Sequence, residues 1–100
     1  MTYEKSIEAL SDPTRRQILE ELAKGPKSVS ALAAGMPVSR PAVSQHLKAL
    51  KEADLAHDTA EGTRRIYQIN PAGLLALRQW LDAFWDEAMA NIKHQAEESE

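Results

Sequence analysis

Hydrophobic residues in the first half of the chain recur at helical spacing, and residues typical of helix ends interrupt them. A short first helix contains Ile7 and ends before residues 12–13, an Asp-Pro pair that suits the N-cap and first position of a second helix. The second helix is predicted to end at Gly25, which Pro26 follows. We expect Ser30 to cap a brief third helix.

The fourth predicted helix has two contrasting sides. Ser39 is its expected N-cap, and Val43, Leu47 and Leu50 fall within about 60° of one another on a helical wheel. The opposite side is small, polar or basic, with no acidic residue, and consists of Pro41, Ser44, Gln45 and Lys48. Such a helix can bury one side in a core and present the other to a partner.

Beyond Leu55 the pattern alternates every second residue, which predicts a β-hairpin over residues 55–59 and 63–69 with Gly62 in its turn. Asn70 and Pro71 then open the longest helix, predicted to run to about Lys93. Its apolar stripe is broader than a surface helix needs.

Three helices, a short turn before a polar-faced helix, and a basic hairpin are the order of a winged helix-turn-helix. The predicted fold class is therefore mainly α with a small β-hairpin (α+β), with about five helices and a two-stranded wing. One domain is expected over residues 1–95, followed by an acidic and disordered tail over 96–100.

Composition narrows the chemistry. A chain of 100 residues allows one domain, and the absence of cysteine excludes a disulfide framework, a thiolate metal site and a cysteine nucleophile. No apolar run is long enough to span a membrane, and the charged N-terminus is unlike a signal peptide. We therefore expect a cytoplasmic protein with no membrane partner.

The net charge of −3 is unevenly distributed. From Asp82 onward there are six acidic residues and one lysine, so the rest of the chain is slightly basic. Residues 39–51 contain three bases and no acid, and Arg64 and Arg65 follow in the hairpin. The acidic total therefore does not count against a nucleic-acid partner.

The polar-faced helix fits the major groove of double-stranded DNA, which admits one α-helix. Gln45 can pair with adenine, Arg40 with guanine or a phosphate, and the hairpin can bring arginines to the flanking backbone. His46 lies beside the apolar stripe, so packing is its first expected role and a phosphate contact its second. The candidate DNA-binding residues are Ser39, Arg40, Pro41, Ser44, Gln45, His46, Lys48, Arg64 and Arg65.

Three stretches carry a family resemblance: LSDPTRR from Leu10, VSRPAVSQHLKALKEADL from Val38, and EGTRRIY from Glu61. Over residues 3–93 the chain resembles the ArsR/SmtB family of bacterial winged-helix repressors, and most closely its cysteine-free autorepressors. The resemblance implies a homodimeric repressor whose first and last helices form the dimer surface, and a recognition helix over residues 39–51. Asp54 replaces the family's usual glycine after that helix, and we expect it to adopt the left-handed conformation.

A broad aromatic stripe is also hard for so small a monomer to cover, which favours a homodimer. The expected dimer-interface residues are Ile7, Leu74, Leu77, Trp80, Leu81, Phe84, Trp85 and Ala88. The operator is expected to be an inverted repeat.

Alternatives remain open at the level of sequence. The domain could serve as a protein-interaction module without specific DNA binding, or as a metal-responsive repressor using Asp82, Asp86, His94 and Glu97, although no cofactor is our first expectation. Arg15 and Arg16 are either solvated or in contact with the DNA backbone.

An enzyme is not expected. Ser44 and His46 are two residues apart on a helix, so they point to different sides and cannot form a nucleophile and base pair.

Overall fold

The computed structural model of the protein describes residues 3–98, and within them it contains five helices and three strands. In chain order these are α1 (Tyr3–Ala9), α2 (Pro13–Ala23), β1 (Lys27–Ser28), α3 (Val29–Ala34), α4 (Arg40–Glu52), β2 (Ala56–Glu61), β3 (Arg64–Ile69) and α5 (Pro71–Glu98). The predicted class, mainly α with a β-hairpin, is confirmed.

The core lies where α2, α3 and α4 meet above the sheet. Val43, Leu47 and Leu50 of α4 are fully buried, as their spacing predicts. They pack with Ile18, Leu22, Leu32 and Leu55, which are also buried. This burial determines which side of α4 remains available to a partner.

The sheet is larger than the predicted two-stranded wing. Its strand order is β1-β3-β2, and both pairings are antiparallel. The short strand β1 pairs Lys27 with Tyr67 and Ser28 with Ile66. The two-stranded prediction was wrong because a strand of two residues is too short to show an alternating pattern. The extra strand joins the base of the hairpin to the helical body.

The cap of α3 is Ser28, so the prediction of Ser30 was wrong. Ser28 has extended backbone dihedrals, and its Oγ accepts a hydrogen bond from the N–H of Ala31 at 3.1 Å. Serines at both positions suit an N-cap, but the strand pairing of Ser28 sets where the helix begins. Ser30 is therefore inside the first turn.

The end of α4 is closed by a Schellman motif. The N–H of Asp54 donates to the carbonyl of Lys51 at 3.0 Å, and the N–H of Leu55 donates to that of Leu50 at 2.9 Å. Asp54 has φ +60°, which confirms its expected left-handed conformation. Its carbonyl oxygen lies against Gly73 in the first turn of α5, so closely that a Cβ at Gly73 would overlap it.

The long helix α5 ends at Glu98, five residues beyond the predicted Lys93. Residues 96–98, predicted to be disordered, belong to this helix, while residues 99 and 100 of the predicted tail lie outside the described residues. His94 Nε2 and Glu98 Oε1 are 3.0 Å apart across this last turn, and such i,i+4 pairs favour a helix.

The helix is about 42 Å long and gives the molecule its largest extent, 65 Å. Among residues 3–98 no helix is both long and apolar enough to cross a bilayer.

Candidate nucleic-acid interface

The exposed side of α4 contains most of the predicted DNA contacts. Ser39 caps the helix by accepting a hydrogen bond from the N–H of Ala42 at 3.2 Å. The exposed residues from the candidate set are Ser39, Arg40, Pro41, Ser44, Gln45 and Lys48. An apolar buried side therefore holds a polar, acid-free outer side in a fixed orientation.

His46 differs from these residues, because it is only half-exposed. It contributes to the environment of Asp12 at the start of α2. The pKa of the Asp12 carboxyl lies below its ordinary value, chiefly because the N–H of Arg15 donates to it, with a smaller contribution from His46. His46 thus lies toward α2, consistent with its expected packing role.

The arginines after Asp12 brace the fold. Arg15 donates from Nε to the carbonyl of Ala9 at 2.6 Å, and Arg16 donates from Nη1 to that of Leu10 at 2.7 Å. Asp12 itself accepts hydrogen bonds from two backbone N–H groups at the start of α2. The Asp-Pro-Thr-Arg-Arg segment therefore caps the start of α2 and the end of α1 together. These contacts offer a structural role for both arginines, in place of the two roles considered from the sequence.

The hairpin of β2 and β3, here called the wing, turns at residues 62 and 63. Gly62 has φ +65° as the first of the two loop residues, the position where type II′ turns favour glycine. Arg64 and Arg65 follow and are exposed. Arg64 lies 3.9 Å from Glu61, and both side chains are largely solvated, so this ion pair holds Arg64 weakly.

A cleft lies between the wing and the helical body. Its lining brings together Arg40 at the start of α4 and Arg64 and Arg65 of the wing, with the hydroxyl residues Ser30 and Thr63. Cations and hydroxyls are the groups that commonly contact DNA phosphates. Ser30 and Thr63 are not in the predicted set, since only the tertiary structure brings them beside Arg40.

Arg65 also takes part in an ion-pair cluster. Its Nε lies 2.8 Å from Asp58 Oδ2, and the Nζ of Lys51 lies 2.8 Å from Asp58 Oδ1. The Asp58 side chain is only 5% exposed. The hydrogen bond from Lys51, together with that from Arg65, lowers the pKa of Asp58. Sequence reasoning missed Asp58, although strand alternation places it on the same face of the hairpin as Arg65.

The predicted dimer residues lie on neighbouring helices, because α1 packs beside the beginning of α5. Phe84 and Trp85 are 56% and 61% exposed, and the rings of Trp80 and Phe84 stack with centroids 5.7 Å apart. Of the predicted set, Ile7, Leu74, Leu81, Phe84 and Trp85 are exposed, whereas Leu77, Trp80 and Ala88 are half-buried. Leu75, Met89 and Ile92 extend the same exposed apolar surface.

The last-helix residues considered for a metal are engaged in pairs in part. Asp82 lies 3.7 Å from Arg78, and His94 is paired with Glu98. Within residues 3–98 of one chain, no three His, Asp or Glu side chains are arranged to hold a metal ion. The sequence hypothesis combined ligands from two subunits, and it stays a prediction.

Comparison with known proteins places these features in a family. A family model described as bacterial regulatory protein, arsR family, matches residues 12–58. The HTH-type transcriptional regulator Rv2034 of Mycobacterium tuberculosis is 57% identical over 86 residues, which cover 86% of this chain and 80% of that protein. The transcriptional repressor SdpR of Bacillus subtilis is 35% identical over 75 residues, covering 75% of this chain and 83% of the repressor.

A solved structure resembles the whole arrangement of helices and wing. The homodimeric winged helix-turn-helix DNA-binding domain Mb0332 of Mycobacterium bovis, a possible ArsR-family transcriptional regulator, superposes with a TM-score of 0.68 at 31% identity. The alignment covers 86% of this chain and 80% of that one.

Proposed function

The chain belongs to the ArsR family of bacterial regulatory proteins and is a DNA-binding transcription regulator, and we propose that it acts as a homodimeric repressor on an inverted-repeat operator. In this proposal α4 enters the major groove, the wing contacts the flanking backbone, and α1 and α5 form the dimer. The protein works in the cytoplasm and carries out no catalysis. Bound over a promoter, it excludes the polymerase.

The DNA-binding surface is supported chiefly by one observation: α4 presents an acid-free polar side beside a cleft lined by Arg40, Arg64 and Arg65. We assign base recognition to Gln45, whose amide can pair with adenine, and to Arg40. Ser39, Ser44 and Lys48 suit phosphates and sugars. The acids of the chain's end lie on the projecting part of α5, where every residue from Leu81 to Glu98 is exposed except the half-buried Ala88.

The homodimer is supported by the exposed apolar side chains of α1 and α5. Soluble monomers rarely leave so many large hydrophobic residues in one surface. A second copy offers the same surface, and a two-fold axis lets the two patches cover each other. The M. bovis domain, which is homodimeric, supports the same arrangement. Two recognition helices related by such an axis would read half-sites about 10 base pairs apart.

The DNA assignment is tested by selecting duplexes from a random 30-base-pair library with the wild-type protein. We expect an inverted repeat, which serves afterwards as the selected duplex. Gln45→Ala should lower discrimination against mismatched duplexes by about 1–3 kcal/mol per half-site, whereas Arg64→Ala should weaken binding to all duplexes alike.

Salt dependence separates this function from a protein-interaction module. A protein that neutralises several phosphates loses DNA affinity steeply as salt rises. Equal affinity for selected and random duplexes at physiological salt would refute the repressor.

The dimer assignment is tested by sedimentation of Trp85→Ala, with Gln79→Ala as the matched control. Both residues are exposed on α5, but Gln79 lies outside the apolar stripe. We expect the tryptophan variant to lower the dimer fraction and the glutamine variant to leave it unchanged. A Trp85→Ala protein that remains as dimeric as wild type would contradict the assigned interface.

A further inference from the structure

Asp58 is a nearly buried carboxylate that joins three segments of the DNA-binding surface. It belongs to β2, its Oδ2 lies 2.8 Å from Nε of Arg65 on β3, and its Oδ1 lies 2.8 Å from Nζ of Lys51 in the last turn of α4. The side chain is 5% exposed, while those of Lys51 and Arg65 are 52% and 56% exposed. Water therefore competes weakly for the carboxylate at the centre of the cluster.

These contacts link the wing to the recognition helix. The wing reaches beyond the body, and its tip at Gly62 and Thr63 is exposed. A lever of this kind is held at its base, and Asp58 is four to five residues from the tip along each strand, directly opposite Tyr67 in the strand pairing. Two charge-assisted hydrogen bonds on one carboxylate determine the angle between the hairpin and α4 more narrowly than strand pairing alone.

We infer that Asp58 is a positioning residue for DNA binding: it holds the wing against the end of α4, so that both elements meet the duplex in one fixed arrangement. The inference rests on the proposed function, because it needs α4 and the wing to contact the same duplex. It assigns a negatively charged residue a favourable role in binding a polyanion. The role is indirect, since the carboxylate itself faces two cations of its own chain.

Electrostatics alone predicts the opposite effect for a change at this residue. Asp58→Asn removes one negative charge per chain and releases Lys51 and Arg65 from their shared partner, so a purely Coulombic account expects tighter binding to any DNA. Loss of wing position expects weaker binding to the selected duplex. The sign of the change therefore distinguishes the two accounts.

Glu61→Gln is the matched control. Glu61 is on the same strand, and its replacement removes the same charge, but its side chain is 69% exposed and 3.9 Å from Arg64. We expect Glu61→Gln to bind the selected duplex as tightly as wild type or more tightly. Asp58→Asn should bind it about tenfold more weakly, with a shallower salt dependence that corresponds to roughly one lost phosphate contact per subunit. Asp58→Glu, which keeps the carboxylate, should recover part of the affinity.

Wing mobility provides a readout that does not depend on charge. The chain has no cysteine, so Thr63→Cys accepts a single spin label at the wing tip. The label should become more mobile when Asp58→Asn is added and remain unchanged with Glu61→Gln. If Asp58→Asn does not fold, Lys51→Gln replaces it in this measurement, since it removes the link to α4 and leaves the pair with Arg65.

The outcomes separate the two proposals. If the wild-type protein selects no duplex, the proposed function itself fails. If it selects one and Asp58→Asn binds that duplex as tightly as Glu61→Gln does, the positioning role is overturned. An unchanged label spectrum in the Asp58 or Lys51 variant also overturns it.

Discussion

Gly73→Ala tests the contact between the recognition helix and the dimer helix. Gly73 lies in the first turn of α5, and its Cα side faces the carbonyl oxygen of Asp54, the left-handed residue that ends α4. An added Cβ would overlap backbone atoms, which cannot rotate away as a side chain can. The start of α5 or the end of α4 must therefore shift.

The expected magnitude is the difference between two opposing effects. Alanine is favoured over glycine within a helix by up to about 1 kcal/mol, which would raise the free energy of unfolding. Overpacking typically costs about 1–3 kcal/mol, and a backbone neighbour places this contact in the upper part of that range. We expect a net loss of about 1–2 kcal/mol, or roughly 4–16 °C in Tm for a domain of this size.

Thermal unfolding followed by circular dichroism measures the change, at one fixed protein concentration because a dimer's Tm depends on it. Gly35→Ala is the control: the nearest atom to a Cβ there is the Leu32 carbonyl oxygen at 4.0 Å, and its φ of −98° suits alanine. The control should be neutral or more stable by up to about 1 kcal/mol. A Gly73→Ala protein at least as stable as wild type would refute the close packing of α5 on Asp54.

Three further predictions concern the caps and charges. Ser28→Ala should lower the free energy of unfolding by about 1 kcal/mol in urea titrations, and Ser30→Ala by clearly less, because Ser28 is the N-cap of α3; equal losses would contradict that cap. Arg15→Ala should lower Tm but leave discrimination between selected and random duplexes intact, since Arg15 binds the carbonyl of Ala9; lost discrimination would indicate a DNA contact. The pKa of Asp58 is lowered by folding, so its stabilisation is present above about pH 4 and disappears as pH falls through the depressed value; Asp58→Asn should therefore show a shallower loss of stability below about pH 4 than wild type.

Local sequence signals predicted the elements well where each depends on its own residues. The Asp12 and Ser39 caps and the buried stripe of α4 follow from cap chemistry and from a period of 3.6 residues. The left-handed Asp54 follows from its place after a helix. Ser30 was misassigned as a cap because two serines compete there, and the strand pairing of Ser28 decides between them.

The candidate site was only partly predictable for the same reason. The exposed side of α4 can be derived from one helix, so Gln45 and Arg40 were found. Arg15 and Arg16 look like free surface bases in the sequence, yet both donate to the end of α1. Asp58 gave no signal as a single acid in a hairpin.

The sequence by itself determined the helices, the hairpin, the polar side of α4 and the family, because these depend on residues close together in the chain. The tertiary structure alone decided which side chains from distant segments meet. It paired Asp58 with Lys51 and Arg65, placed Ser30 and Thr63 beside Arg40, and seated Gly73 on Asp54. Such contacts depend on how whole elements pack against one another, and packing is a property of the assembled core that no local pattern encodes.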